Sequence, residues 1–256
     1  MTEFYKKIVR EIKNLIIDND NILTAWEGGS AATGFLDESS DLDLAVIVKD
    51  EYVEDMFALI DAFLIKYYSI DHKFRVPEPA WHSNSQAFYI SDEFPEFFYL
   101  DFFVEKESSK QRFTESDRHG DAVVWFDKQS LLDNSPTSPD EINQKCRSAY
   151  QRFITYFPFM LKDVKKQVLR GNKIDAMAIF QALLQRYVLL LNIKYRPAKY
   201  DFGLRYLYRD FPQAEVDEIE KMMMISNLEE LTLAIKKVEK NYQILEIELS
   251  KKFREN

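Results

Sequence analysis

The sequence predicts an α+β protein in which a small mixed sheet is followed by an all-helical bundle. In the first half, short apolar runs with the alternation of strands are separated by longer segments with helical spacing, as in a mixed α/β sheet. In the second half, apolar residues recur every three or four positions. A turn-rich linker at 132–139 separates the two patterns. We therefore predict two domains, residues 1–134 and 135–256.

The elements of the first domain follow from local patterns. The chain opens with an amphipathic helix, in which charges interrupt the apolar positions too often for a signal peptide. Runs of β-branched, aliphatic and aromatic residues predict strands, and a longer segment with helical spacing predicts a second helix. The predicted helices cover 4–17 and 53–68, and the predicted strands cover 22–27, 41–48, 86–90, 97–104 and 123–126.

The second domain begins with a clear helix start. Ser138 provides an N-cap, and Pro139 occupies the first helical position. This helix is expected to run towards residue 171, a second to cover 174–195, and a last one to begin at Ser226 with Glu229 as capping partner. Apolar residues of the last helix form a stripe spaced by threes and fours, which we interpret as intrachain core, with homodimerisation as the alternative. The stripe consists of Leu228, Leu231, Ile235, Val238, Tyr242, Leu245 and Leu249.

Composition narrows the class of protein. The 256 residues carry 34 basic and 43 acidic side chains, a net charge of −9, which disfavours a broad surface for nucleic acid. A small substrate is favoured, and an acidic cleft would suit a cationic one. The single cysteine, Cys146, fits a reducing compartment, so we expect a cytoplasmic protein. No apolar run approaches twenty residues, so no membrane span is expected.

The segment from Trp26 to Leu44 contains the residues most typical of a reactive site. Three of the six glycines fall within seven residues, at 28, 29 and 34, and glycine lets backbone N–H groups close on a phosphate. Ser30 adds a hydroxyl. Asp41 and Asp43 open the next predicted strand and project from one face, since side chains two apart on a strand share a face. Two converging carboxylates are hard oxygen ligands suited to Mg²⁺.

The spacing of these residues resembles a known family signature. Gly29-Ser30, ten intervening residues and Asp41-Leu-Asp43 resemble the signature of the DNA polymerase β-like nucleotidyltransferase superfamily. The resemblance implies a third carboxylate from a later strand, and Asp101 is the acid at the centre of an apolar run downstream. It further implies that Asp41, Asp43 and Asp101 hold two Mg²⁺ ions, which bind the triphosphate of ATP or another NTP and align an attacking hydroxyl. Asp101 would complete the metal shell or act as general base.

The turn departs from the superfamily pattern at one position. Many members carry a basic residue where this chain has Thr33, so another cation would have to neutralise the triphosphate. The segment Asn192-Ile-Lys-Tyr-Arg-Pro-Ala-Lys199 resembles one in the helical domains of antibiotic-type nucleotidyltransferases, where a lysine faces the triphosphate. That resemblance makes Lys199 a candidate nucleotide-binding residue. The alternative is a solvated helix surface with stacked tyrosines.

Among proteins of this size, the chain resembles aminoglycoside and lincosamide nucleotidyltransferases most. The resemblance implies transfer of a nucleoside monophosphate, AMP from ATP, to a hydroxyl of a small acceptor that could be an antibiotic. Two alternatives of other classes stay open. One is a nucleotide-binding regulatory or antitoxin-like protein without turnover, and the other is a protein adenylyltransferase.

Overall fold

The computed structural model describes residues 2–78, 80, 84–109 and 112–254. They form two compact units, Met1–Pro136 and Thr137–Asn256. The first is built on a mixed sheet and the second is helical, so the predicted α+β class is confirmed.

The first unit contains six strands and four α-helices among the described residues. The strands are β1 (Ile22–Glu27), β2 (Leu42–Val48), β3 (His72–Arg75), β4 (Ser85–Ile90), β5 (Leu100–Lys106) and β6 (Val123–Asp127). The helices are α1 (Glu3–Ile16), α2 (Gly29–Thr33), α3 (Val53–Tyr67) and α4 (Ser116–His119).

The sheet has the strand order β3-β4-β5-β2-β1-β6. Strands β2 and β5 run parallel, and the other neighbouring pairs are antiparallel. Helices α1 and α3 cover one face, where alternate sheet residues such as Leu44 and Phe102 join the largest core cluster of this unit. A smaller cluster around Trp26 and Ile47 lies on the opposite face. That opposite face therefore leaves room for polar side chains at the centre of the sheet.

Two features of the sheet differ from the sequence prediction. Strand β5 begins at Leu100 rather than at residue 97, because Phe94 and Phe98 belong to turns whose rings pack with Phe4 of α1. Strand β3 was not predicted, since it is an exposed edge strand with two basic residues and a single aromatic residue in four positions.

The second unit is dominated by three long helices, α5 (Pro139–Leu169), α6 (Lys173–Tyr195) and α9 (Leu228–Arg254), with the shorter α7 (Leu207–Asp210) and α8 (Gln213–Met223) between the last two. Helix α5 begins where the Ser138-Pro139 pair predicts, although the Ser138 side chain makes no capping hydrogen bond. Helix α6 is, by length and composition, apolar enough to cross a membrane, a test that a core helix of a soluble protein also passes. Its apolar residues pack with those of α5 and α9.

The apolar stripe of α9 lies in the core of the helical unit, which confirms the intrachain interpretation. The predicted start of this helix needs correction. Asn227 is the capping residue, because its Oδ1 accepts from the backbone N–H of Glu230 at 2.9 Å. Glu230, rather than Glu229, returns the bond by accepting from the N–H of Ser226 at 2.9 Å. The capping motif is therefore displaced by one residue from the prediction.

Candidate active site

The turn between β1 and α2 closes directly on Asp43. The backbone N–H of Gly28 donates to the carbonyl oxygen of Asp43 at 2.9 Å, and the backbone of Ser30 bonds to the Asp43 carboxylate. Gly29 has a φ of +49°, and a Cβ at this position would overlap the Asp43 carboxylate. Glycine is therefore required at 29 both for the left-handed backbone and for the close approach of the carboxylate.

The three predicted carboxylates are brought to one end of the two parallel strands. Asp43 and Asp101 are direct register partners of β2 and β5, and Asp41 lies one residue before β2. Side chains at directly opposed positions of neighbouring strands project to the same face. Gln86 of β4 donates from Nε2 to Asp101 Oδ1 at 2.7 Å, and the hydroxyl of Tyr99 bonds to the Asp41 carboxylate.

Burial and the charges of neighbouring carboxylates raise the pKa values of Asp43 and Asp101. Burial, reinforced by the charges of Asp41 and Asp101, raises the pKa of Asp43 to about 7, against the opposing hydrogen bond from Ser30. Burial also raises the pKa of Asp101 to about 6, with the Gln86 hydrogen bond lowering it and the charge of Asp41 raising it. A positive charge placed among these groups would favour their ionised forms.

The donor set fits a divalent cation by its chemistry. Three carboxylates supply hard oxygen ligands of the kind that Mg²⁺ prefers. The hydroxyl oxygen of Ser30 is buried without a hydrogen-bond partner, so the turn also holds an unsatisfied polar atom. In the part of the chain that the structure describes, no three His, Cys, Asp or Glu side chains already stand close enough together to hold a metal ion. Asp41 and Asp101 are instead engaged by Tyr99 and Gln86, so metal binding requires these carboxylates to turn inwards.

A buried carboxylate outside this cluster supports the turn and was not singled out from the sequence. Glu27, the last residue of β1, accepts a hydrogen bond from the Tyr5 hydroxyl at 2.6 Å and one from Trp125 Nε1 at 2.7 Å. Burial, followed by the Glu27 hydrogen bond, raises the pKa of Tyr5, so this hydroxyl stays protonated and donates. Glu27 thereby ties α1 and β6 to the strand end that carries the turn. Sequence alternation alone marks it as an ordinary strand residue.

No protein-family model and no curated protein matches the sequence. Among solved structures, the chain is similar to an aminoglycoside 6-adenyltransferase from Bacillus subtilis. That likeness has 10% sequence identity and a TM-score of 0.35, and covers 98% of this chain and 91% of the other. Values this low support no inference about activity.

The remaining predicted site residue, Lys199, belongs to the helical unit. It ends a 3-10 turn, and its Nζ lies 3.6 Å from Asp210 Oδ2. Arg196 binds the same oxygen at 2.8 Å, and also donates to the carbonyl oxygens of Gly203 and Arg205. Arg196 is buried, so it is a structural residue of this segment and not part of a solvated surface. The assignment of Lys199 to the nucleotide stays a prediction.

Thr33 does not replace the basic residue that the turn lacks. Its Oγ1 donates to the Gly29 carbonyl oxygen at 2.9 Å, one turn earlier in α2. The hydroxyl is therefore used inside the helix, and the turn itself contributes no cationic side chain.

Proposed function

We propose that the protein is a Mg²⁺-dependent nucleotidyltransferase that moves a nucleoside monophosphate, AMP from ATP, to a hydroxyl of a small acceptor such as an antibiotic. One observation carries the proposal: Asp43 and Asp101 are register partners on adjacent parallel strands, and the Gly29-Ser30 turn packs directly on the Asp43 carboxylate. A glycine turn beside clustered carboxylates combines donors for phosphate oxygens with ligands for a cation that bridges them.

The chain's own residues have separate tasks in this proposal. Asp41, Asp43 and Asp101 would hold two Mg²⁺ ions, which when bound offset the negative charge on the phosphates. The turn at Gly29 and Ser30 would bind a phosphate oxygen through the Ser30 hydroxyl, whose oxygen is buried and unpartnered, while the Ser30 backbone is bonded to Asp43. Lys199 is the proposed counter-charge for the triphosphate, in the role that Thr33 cannot fill.

The proposed reaction is an in-line displacement at the α-phosphorus. The acceptor hydroxyl oxygen forms a bond to that phosphorus, the bond to the bridging oxygen breaks, and pyrophosphate leaves with the electron pair. The hydroxyl proton passes to a general base. Asp101 is the candidate for this base if it does not complete the metal shell, and Gln86 donates to its Oδ1.

Pyrophosphate release is the direct test. Purified protein with ATP, Mg²⁺ and a panel of aminoglycosides, lincosamides and simple sugars should release pyrophosphate with at least one acceptor. Asp41→Asn and Asp43→Asn should each lower the turnover by at least about 10²-fold in folded protein, because charge that develops in the transition state would lose its compensation. Asp20→Asn, a change at an exposed aspartate remote from the cluster in sequence, is the matched control. Unchanged release in either cluster variant would refute the site.

Two other results would select the alternative functions. Calorimetric binding of ATP without pyrophosphate release on any acceptor would indicate a nucleotide-binding regulatory protein. Transfer of label from α-labelled ATP to a polypeptide, with small acceptors inert, would indicate a protein adenylyltransferase.

The role of Asp101 can be separated by two measurements on Asp101→Asn. A general base removed from the reaction lowers turnover while Mg²⁺ binding persists, whereas a lost metal ligand weakens both. Calorimetric titration of Mg²⁺ into the variant, beside its turnover, therefore distinguishes the two roles.

A further inference from the structure

The open face of the sheet carries a continuous row of side chains that ends at the carboxylates. Phe74 of β3 is the register partner of Phe88 on β4, Phe88 is the partner of Asp101 on β5, and Asp101 is the partner of Asp43 on β2. The row thus crosses four neighbouring strands in one line. Beyond Asp43 it reaches the turn, through the bond from the Gly28 N–H.

The aromatic half of the row forms a connected surface. The rings of Phe74 and Phe88 are stacked, with centroids 6.4 Å apart and planes inclined by 22°. Tyr99 packs against Phe88 with centroids 6.2 Å apart, and its hydroxyl bonds to Asp41. The aromatic surface therefore begins at the edge strand and ends in contact with a carboxylate of the candidate active site.

These rings face away from the core of the unit. Ala87 and Tyr89, the neighbours of Phe88 on β4, lie in the cluster beneath α1 and α3, so Phe88 projects from the opposite face. Phe74 is 59% exposed, although it sits on an edge strand, where an exposed apolar residue is a liability for aggregation. The exposed ring of Phe74 therefore adjoins the partly buried rings of Phe88 and Tyr99, and apolar side chains beside a few convergent polar groups are typical of ligand sites.

The order of residues along the row indicates whether the acceptor or the nucleotide would contact the aromatic rings. In an in-line displacement the attacking and leaving oxygens stand on opposite sides of the phosphorus. The turn that would hold the departing phosphates lies on the β1 side of Asp43, whereas the rings lie on the β4 and β3 side of Asp101. The attacking hydroxyl therefore approaches from the aromatic side.

We propose that Phe74, Phe88 and Tyr99 form the acceptor platform, which binds the apolar faces of a hydroxylated acceptor with two linked rings. This inference rests on the proposed transferase function. Neighbouring strands are about 4.8 Å apart, so Phe88 is displaced by about 5 Å and Phe74 by about 10 Å from Asp101 across the sheet. A ring that carries the reacting hydroxyl fits beside Phe88, and a second ring fits over Phe74.

Kinetics of two ring variants test the platform. Phe74→Ala removes the outer ring, and Phe88→Leu keeps apolar volume in a partly buried position. With neamine as a two-ring probe, each change should raise the KM for the acceptor about 10-fold, the scale of one aromatic contact, while the KM for ATP and kcat stay within about twofold. Tyr67→Ala, a change at an exposed ring of α3, is the matched control and should alter neither KM.

The probes also test the length of the acceptor. In the wild-type protein the KM for 2-deoxystreptamine, a single ring of neamine, should exceed that for neamine about 10-fold, and Phe74→Ala should abolish this preference. An equal KM for the two probes in wild-type protein, or a rise in the KM for ATP instead, would overturn the proposal. The latter result would mean that the rings hold the nucleobase.

Failure of the platform and failure of the proposed function give different results. Turnover with an unchanged acceptor KM in both variants refutes the platform and leaves the transferase standing. If no probe supports pyrophosphate release, the proposed activity fails for this acceptor class, and calorimetric titration of neamine decides the platform. Binding that weakens about 10-fold in Phe74→Ala supports it, and equal or absent binding refutes it.

Discussion

Magnesium binding by the carboxylate cluster should depend steeply on pH. Protons and the metal compete for the same oxygens, and the pKa values of Asp43 and Asp101 are raised to about 7 and about 6. At pH 5 Asp43 is then ionised in about 1% of molecules and Asp101 in about 10%. If both must be ionised, the apparent affinity for Mg²⁺ should fall by about 10³-fold between pH 8 and pH 5, which corresponds to about 4 kcal/mol.

The raised pKa of Asp43 also makes the stability of the metal-free protein depend on pH. The pKa of Asp43 is higher in the folded protein than the ordinary aspartate value, so the folded state binds more protons between these two values. The contribution of this group to the free energy of unfolding is therefore fully present below about pH 4 and is lost as the pH rises through about 7. Added Mg²⁺ should raise the melting temperature at pH 8 and have little effect at pH 5.

Isothermal calorimetry at pH 5, 6, 7 and 8, without nucleotide, measures the affinity directly. Asp43→Asn should weaken Mg²⁺ binding at pH 8 and leave a pH dependence of only about 10-fold, because Asp101 alone remains to compete. Asp20→Asn should behave as the wild type. Affinity that is the same at pH 5 and pH 8, or an Asp43→Asn variant that binds as the wild type does, would refute the assignment of the cluster to a metal.

Three further substitutions test the glycine turn, the role of Lys199 and the structural role of Arg196. Gly29→Ala should lower the melting temperature more than Gly34→Ala, because both glycines have a positive φ but only a Cβ at position 29 would meet the Asp43 carboxylate. Equal losses of melting temperature in the two variants would show that this contact is unimportant. Lys199→Ala should weaken ATP binding by about 1.5–3 kcal/mol and spare AMP, as measured by calorimetry, and equal ATP affinities would exclude a phosphate contact. Arg196→Met should lower the free energy of unfolding by about 3 kcal/mol in urea titrations, because it removes the buried guanidinium group that bonds to Asp210 and to the carbonyl oxygens of Gly203 and Arg205. A loss below about 1 kcal/mol would contradict the structural role assigned to Arg196.

The long helices and the central strands were predictable because their signals are local, whereas helix α8 was not predicted. The segment 41–48 is rich in aliphatic and β-branched residues, and β2 occupies Leu42–Val48. The Ser138-Pro139 pair likewise marks the start of α5, since proline is accommodated at the first helical turn. The edge strand β3 escaped prediction because its partner, β4, follows ten residues later and its own side chains are mostly charged or exposed. Its strand conformation depends on pairing rather than on local preference.

The candidate site likewise contains some residues that the sequence predicts and others that only the structure reveals. The glycine-serine turn and the paired aspartates are visible in the sequence because each depends on residues within a few positions of one another. Gln86 and Tyr99 carry no local signal, and only their contacts with Asp101 and Asp41 give them a place in the site. Glu27 is similar, because its partners Tyr5 and Trp125 come from a helix and a strand far away along the chain.

The sequence by itself determined the class of fold, the division into a sheet half and a helical half, and the turn with its two aspartates, because periodicity, capping and short motifs are properties of neighbouring residues. Tertiary structure alone decided that Asp101 stands opposite Asp43 and that Phe88 and Phe74 continue the same row. Strand register joins residues from separate segments of the chain, and a shift of one residue would turn each of these side chains to the other face of the sheet. The carboxylate cluster and the aromatic row exist because the register that buries Leu44 and Phe102 leaves their neighbours on the open face.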